Sequence, residues 1–407
     1  MTAYISRDIE TPLAEYAKLF PAVALTGPRQ SGKSTTLRKL FEKSHAKDSH
    51  AYISFDDPEI RRRFTDDPQL FMDNCPEKVL FDEVQLLPQI VPYLKIAIDR
   101  DRQATGRYLL TGSNQFTLMK NLSESLAGRI GLLSLLPFGT TELKDGREMS
   151  AAQQFTRALL RGLYPELVIK KWPDPADWYA SYVQTYIERD VRLIQNIVNI
   201  RDFHRFVNLL AARCSQQLNM STFSRELGIS VPTIRHWLSI LEASYIVVLL
   251  PPYTENMGKQ VVKSPKVYFL DTGLVCYLTG MKTVQHVMNG PFSGALYENY
   301  CVAEFVKCVF HTNRKSRLYF YRTRNGAEID LVVDDGGSLS LYECKLAKTI
   351  HQRMAQNLIE FQAGGGKKIK SRVILSLGDK PLEVARGVIA EPLYAAIEQM
   401  KENGEIA

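Results

Sequence analysis

The chain has 407 residues, 45% of them hydrophobic and 23% charged, enough for two or three ordinary domains with their own cores and too apolar for a disordered or fibrous chain. A formal net charge of +7 permits a polyanionic partner without requiring one. No apolar run approaches the roughly 18 residues of a membrane span, and the opening MTAYISRDIE has no signal-peptide core, so the expectation is a cytoplasmic protein with no membrane partner. Six cysteines, Cys75, Cys214, Cys276, Cys301, Cys308 and Cys344, form no C-x-x-C pair and read as reduced structural thiols.

In chain order, short apolar runs alternate with helical patterns. Strands are predicted over 22–26, 51–55, 78–81, 107–111 and 130–136, with helices over 33–42 and 88–101. Alternation of this kind implies a parallel sheet covered on both faces. Pro137-Phe138-Gly139 and the charged stretch 142–148 end the pattern, which places a first domain at 1–140. A helical region and a helix-turn-helix pattern follow over 141–264, and strands return over 265–407 as a third domain.

Between the first strand and the first helix lies Gly27-Pro28-Arg29-Gln30-Ser31-Gly32-Lys33-Ser34-Thr35, which fits G-x-x-x-x-G-K-[ST]. Glycines let backbone N–H groups turn inward around phosphates, the helix N-terminus favours anions, Lys33 reaches the outer phosphates, and Ser34 offers a hydroxyl to Mg²⁺. Some fifty residues on, Val79-Leu80-Phe81 ends in Asp82-Glu83. There Asp82 is expected to hold the metal's water shell, and Glu83 to orient or deprotonate the attacking water. The next strand ends in Thr111-Gly112-Ser113-Asn114, at the sheet edge where a γ-phosphate would lie; Asn114 is the expected sensor, with Ser113 or Thr111 as alternates. Arg129, just before the last strand, either caps its own helix or reaches a neighbouring subunit's nucleotide as an arginine finger.

Together RDIE at 7–10, LTGPRQSGKST at 25–35, Phe55-Asp56-Asp57-Pro58, LFDEVQ at 80–85, LTGSN at 110–114, SLAGR at 125–129, YIERDV at 186–191 and FLDTGL at 269–274 resemble a prokaryotic AAA-type ATPase family whose members carry a C-terminal domain of unknown function. The resemblance covers nearly the whole chain. It implies an α/β P-loop AAA-type ATPase domain, ATP as nucleotide, Lys33, Asp82, Glu83 and Asn114 as its site, and a homo-oligomer.

In the middle region, 221–227, Gly228 and 231–242 read as two helices around a glycine turn, with Leu227, Ile229, Ile234, Trp237, Leu238 and Leu241 as the apolar set. Runs at 245–250 and 260–262 are predicted to form a wing, flanked by Lys259, Lys263 and Lys266. Ser230, Thr233, Arg235 and His236 are placed to meet DNA, although a lid or protein-contact module fits the same winged-helix pattern.

The third domain predicts a helix over 292–310 carrying Glu298, strands over 318–321, 328–333 and 339–345, a helix over 350–361 and a strand over 372–375. Glu343 and Lys345, two apart on a strand, share a face. This order resembles the core of PD-(D/E)xK nucleases. The resemblance implies Asp330 and Glu343 as ligands of Mg²⁺ (Mn²⁺ as alternative), Glu298 as an added acid and Lys345 as the water-activating group, with Arg322 and Arg324 nearby for phosphates. Ile329 stands where the motif's proline would be. Two acids and a lysine on adjacent strands also fit an ion-pair cluster in a domain that binds but does not cut. Three functions therefore stand side by side: an ATP-controlled nuclease on DNA, an ATP-dependent regulator whose C-terminal domain only binds, and a motor that remodels DNA.

Overall fold

Five short strands, β1 (Ala22–Thr26), β2 (His50–Ser54), β3 (Lys78–Asp82), β4 (Tyr108–Thr111) and β5 (Ile130–Ser134), form a parallel sheet in the order β2-β3-β4-β1-β5. The computed structural model describes residues 4–44, 50–112, 126–143, 148–170, 172–187, 200–254, 264–323, 326–363 and 366–402. β1 is buried along its whole length, and its alternate residues feed two cores. Val23 and Leu25 pack with Leu13 of helix α1 (Glu10–Leu19) and with Leu37 and Phe41 of α2 (Lys33–Ser44). Ala22 and Ala24 join the cluster containing Phe64 of α3 (Pro58–Asp66), Met72 of α4 (Pro68–Asp73) and Leu94 of α5 (Ile90–Arg100). Burial on both faces is what the near-continuous apolar runs require.

This first compact unit comprises Met1–Pro137 with two short distant segments, Ala243–Tyr245 and Phe310–Asn313. Both segments fasten the end of β5. The Tyr245 hydroxyl lies 2.7 Å from Ser134 Oγ, and His311 Nε2 accepts the Leu136 N–H at 3.0 Å.

The remainder, Phe138–Glu242, Ile246–Val309 and Arg314–Ala407, is a second compact unit. Its helix-turn-helix consists of Met220–Leu227 and Val231–Ala243, packed through Phe223 and Trp237 on Phe203 and Phe206 of helix Ile200–Ala211. Gly228 ends the first of these helices at φ +71, a left-handed cap that favours glycine. The strand partner expected at 260–262 lies outside the described residues. Instead β6 (Val247–Leu250) pairs antiparallel with β7 (Lys266–Phe269). The boundary expected at 264 therefore falls inside a paired hairpin, and 141–264 and 265–407 fold as parts of one unit.

The large sheet of this unit is mixed, in the order β12-β13-β11-β10-β9-β8. Its strands are β8 (Arg317–Arg322), β9 (Glu328–Asp334), β10 (Ser338–Cys344), β11 (Lys368–Ser376), β12 (Leu382–Ala385) and β13 (Val388–Pro392). The long helix Ser293–His311 brings Glu298 to this unit, and 3-10 plus α turns over 352–360 replace the single helix expected at 350–361. The expected elements otherwise recur with ends moved by at most four residues.

A corner of this unit is closed by Asp271. Its Oδ1 accepts the Leu274 N–H at 2.9 Å, capping helix Thr272–Leu278, and the Tyr179 hydroxyl at 2.5 Å, while Oδ2 accepts the Leu163 N–H at 2.8 Å. A Cβ on Gly273 would meet Tyr179 Oη at 2.3 Å and Gly162 N at 2.8 Å. The FLDTGL run is thus structural.

Candidate functional site

In the first unit the loop after β1 turns sharply because Gly27 has φ +138 and Gly32 φ +93. The space around Gly27 excludes any side chain, since a Cβ there would lie 2.1 Å from the Leu135 carbonyl oxygen. Gln30 takes a left-handed backbone at φ 60. Ser31 Oγ donates to the Pro28 carbonyl at 3.0 Å, and the buried Lys33 ammonium donates to the Gly27 and Pro28 carbonyls at 3.1 and 2.7 Å. Pro28 and Ser31 are buried, Arg29 and Ser34 half-buried, and Thr35 is exposed on the first turn of α2.

Arg7, given by sequence only as part of a resemblance, braces this loop from inside. It is buried and donates to the Ser31 carbonyl at 3.0 Å and to the Leu136 carbonyl at 2.8 Å. Its only sequence signal was an arginine ahead of an amphipathic helix, which ordinarily reads as a solvated charge.

Because β4 lies between β1 and β3, the ends of all three strands meet at one edge. There Asp82 Oδ1 accepts Ser34 Oγ at 2.8 Å and also the Thr111 hydroxyl, and Oδ2 accepts the Tyr52 hydroxyl at 2.6 Å. Burial and the Asp82 carboxylate push the Tyr52 phenol up to about 12, which keeps it a donor. Arg38 stacks over the Tyr52 ring at 3.8 Å. Glu83 follows with a left-handed backbone at φ 56, a strained setting for a non-glycine residue; its N–H faces Thr111 Oγ1 at 3.5 Å and its carboxylate accepts from Gln85. Thr111, an alternate phosphate sensor in the sequence, thus partners Asp82. Asn114 and Ser113 lie outside the described residues.

Arg129 stands at the opposite end of the sheet. It precedes β5, whose first residue pairs with Ala22 at the start of β1, so a strand length of about 16 Å separates it along β1 from its own phosphate loop. Its guanidinium makes two bonds to Asp99 of α5, Nε–Oδ1 at 2.8 Å and Nη2–Oδ2 at 3.1 Å, and a third to the Ala127 carbonyl at 3.2 Å. The bonds from Arg129, together with Arg102, hold the Asp99 carboxyl down, to about 2. In this structure, then, a carboxylate of the same chain holds the guanidinium expected to cap a helix or reach a neighbouring subunit.

The second unit holds the acidic cluster. Glu298, Asp330, Glu343 and Lys345 do converge, but with a lysine among them that sequence had assigned to the wing. The Lys266 ammonium, 4% exposed, lies 2.8 Å from Glu298 Oε1, 2.5 Å from Glu328 Oε1 and 3.8 Å from Asp330 Oδ1. Tyr268, two residues on along β7, donates its hydroxyl to the same Glu298 oxygen at 2.6 Å. Asp330 Oδ2 accepts the Cys344 N–H at 2.8 Å, and Lys345 Nζ donates to Glu343 Oε1 at 2.6 Å. Glu343 Oε2 is buried without a hydrogen-bond partner.

Burial and the nearby Asp330 raise Glu298 to about 8 and Glu343 to about 7, against the pull of Lys266 and Lys345 respectively; burial raises Asp330 as well. Burial works against the Lys266 charge, but Glu298, Asp330 and Glu328 outweigh it and its pKa is raised. Among the described residues no three His, Cys, Asp or Glu side chains are grouped to hold a metal ion. The Lys266 ammonium already pairs with Glu298 and Asp330, two of the three carboxylates expected to hold a metal.

On the helix-turn-helix, Arg235 is exposed, whereas Ser230 caps its helix by accepting the Thr233 N–H at 3.3 Å and sharing a 2.7 Å hydroxyl contact with Thr233. Lys259 and Lys263 lie outside the described residues. No helix among those described is long and apolar enough to cross a membrane.

Three family models match the chain: "AAA domain" over residues 19–144, "Domain of unknown function (DUF8612)" over 152–285 and "Domain of unknown function (DUF4143)" over 293–395. Uncharacterized protein Rv2008c of Mycobacterium tuberculosis and Uncharacterized protein Mb2031c of Mycobacterium bovis are each 30% identical over 358 residues, spanning 88% of this chain and 78% of theirs. Among solved structures, the Walker-type ATPase paby2304 of Pyrococcus abyssi is similar at 17% identity and a TM-score of 0.45, covering 68% of this chain and 96% of that one. With an AAA domain ahead of DUF4143 and this identity across most of both chains, the chain belongs to the family of the two mycobacterial proteins, a prokaryotic family of AAA-type ATPases.

Proposed function

We propose that the protein is an ATP-hydrolysing switch that acts on DNA through its helix-turn-helix, with a C-terminal domain that binds without cutting. The ATPase half is carried by one observation: Asp82 ends its strand ringed by the hydroxyls of Ser34, Thr111 and Tyr52, with Glu83 beside it in a left-handed backbone. Hydroxyl donors leave the carboxylate its full charge, so Ser34 and Asp82 suit Mg²⁺, and the glycine-shaped loop with its buried lysine suits the phosphates of ATP. Bound Mg²⁺ offsets the charge on the transferring phosphoryl group.

In this reading Gly27 to Thr35 wrap the phosphates with backbone N–H groups. Lys33 shifts its ammonium from the loop carbonyls to the outer phosphates, Glu83 orients the attacking water and takes its proton, and Asn114 senses the γ-phosphate. Arg129, on the sheet edge far from its own loop, acts on the nucleotide of a neighbouring copy in a homo-oligomer once Asp99 releases it.

Support for DNA is the helix-turn-helix itself, the exposed Arg235 on its second helix and the net charge of +7. The test is steady-state ATP hydrolysis with and without duplex DNA. DNA should stimulate turnover severalfold, and Arg235→Glu should lose the stimulation while keeping basal turnover. Absence of both DNA binding and stimulation in the wild type would remove DNA from the proposal and leave the ATPase standing.

A Mg²⁺- or Mn²⁺-dependent endonuclease is the second reading. It is favoured by Asp330, Glu343 and Lys345 on adjacent strands and by the unpartnered Glu343 Oε2. We rank it second because Lys266 stands among the carboxylates. Metal-dependent cleavage of nucleic acid that disappears in Asp330→Ala would reverse the ranking.

A further inference from the structure

A buried ammonium is costly unless it is paired and its hydrogen-bonding directions are used. Lys266 is so paired, with two carboxylate oxygens within hydrogen-bond distance and a third carboxylate 3.8 Å away. Carboxylates reach it from two separate elements, Glu298 from helix Ser293–His311 and Glu328 and Asp330 from β9, and the Phe320 ring covers it at 5.5 Å.

The oxygens around it are occupied in turn. Glu298 Oε1 is shared with the Tyr268 hydroxyl, Asp330 Oδ2 is taken by the Cys344 N–H, Glu343 Oε1 by Lys345, and Glu328 Oε2 lies 3.7 Å from Arg322 Nε. One cluster oxygen, Glu343 Oε2, is buried and unpartnered. Mg²⁺ asks for octahedral oxygen ligands at about 2.0–2.1 Å, usually one or two carboxylates with waters. Such an ion at Asp330 would stand against an ammonium already 3.8 Å from Asp330 Oδ1, and at that separation like charges repel strongly in a low-dielectric interior.

We propose that the ammonium of Lys266 is the resident cation of this acidic cluster, holding the place toward which a nuclease of this fold would draw a divalent ion, so that the cluster is closed to metal. An ammonium assembles the carboxylates as a metal would. It cannot lower the pKa of a bound water to generate a nucleophile. The inference is independent of the ATPase assignment, because it concerns only residues of the second unit.

The test is Mn²⁺ binding to the full chain without nucleotide, followed by electron paramagnetic resonance of the free ion, with Asp82→Asn in every sample to silence the first unit. Wild type at Lys266 should show no Mn²⁺ site that Asp330→Asn removes. Lys266→Met, which keeps the stem and drops the charge, should gain one Mn²⁺ per chain at least tenfold tighter than any residual binding. Adding Asp330→Asn to it should abolish that gain. A site in the Lys266 background lost on Asp330→Asn would overturn the proposal, as would a folded Lys266→Met that takes up no Mn²⁺. Should Lys266→Met fail to fold, the comparison with and without Asp330→Asn in the Lys266 background still decides.

Discussion

Two aspartates, each on a strand of a buried sheet, meet opposite surroundings. Asp82 is met by three hydroxyls and Asp330 by an ammonium and a backbone N–H. Neutral donors orient a carboxylate and leave its charge unspent, so a cation arriving with a nucleotide finds it available. An ammonium spends that charge within the fold. Carboxylates on strands therefore say little about chemistry until their partners are known, and the partners differ by charge more than by geometry.

The widest separation is expected at Glu83. Glu83→Gln keeps shape and removes the base, so turnover should fall by about 10²–10⁴-fold with ATP binding retained, whereas Lys33→Ala should weaken binding itself. Single-turnover hydrolysis together with nucleotide titration separates the two. Wild-type turnover by Glu83→Gln would place the base elsewhere.

On the other side of the comparison, Lys266→Ala strips the ammonium from three carboxylates. It should destabilise the second unit by about 3–5 kcal/mol in denaturant unfolding, as removal of one partner from a buried ion pair does. Asp82→Asn should cost far less stability, its hydrogen-bond partners being neutral hydroxyls. Equal losses would erase the contrast.

Stability against pH sharpens it further. Glu298 is raised from 4.5 to about 8 in the folded chain, so the folded state holds an extra proton across that window. Stability it contributes is full below about pH 4.5 and is lost as pH rises through 8. Glu298→Gln should flatten this decline by roughly 2–4 kcal/mol in unfolding free energy between pH 5 and 8. A decline of the same slope in the variant would move the titrating group elsewhere.

The smallest effect is expected at Tyr52→Phe, which removes one partly exposed hydrogen bond to Asp82. It should cost about 0.5–1 kcal/mol in thermal unfolding and shift the Mg²⁺ dependence of turnover modestly. A loss of turnover as deep as that of Glu83→Gln would make Tyr52 part of the chemistry.

The first site was legible because its parts are local: a nine-residue loop and an Asp-Glu at a strand end each carry their meaning in consecutive residues. Even so, the hydroxyl ring around Asp82 was only partly visible, since Tyr52 and Thr111 come from neighbouring strands whose order had to be known. Of the acids at the second site, Glu298, Asp330 and Glu343 were named from the sequence and Glu328 was missed, and the cation was misread. Lys266 has no local mark that separates it from Lys259 and Lys263, and only the pairing of β6 with β7 turns it inward onto residues 32 to 64 positions away. Arg7 was obscured in the same way, as its acceptors are carbonyls 24 and 129 residues distant.

The corner built on Asp271 bears on how relatives of this chain can change. One carboxylate there collects a helix cap, a phenol and a distant amide, and Gly273 fits a gap too narrow for a methyl group. Every acid of the cluster around Lys266 could be replaced without touching these contacts of that aspartate and glycine. The FLDTGL run therefore speaks to how this chain closes its architecture, and the residues that bear on metal chemistry are Lys266, Asp330 and Glu343 instead.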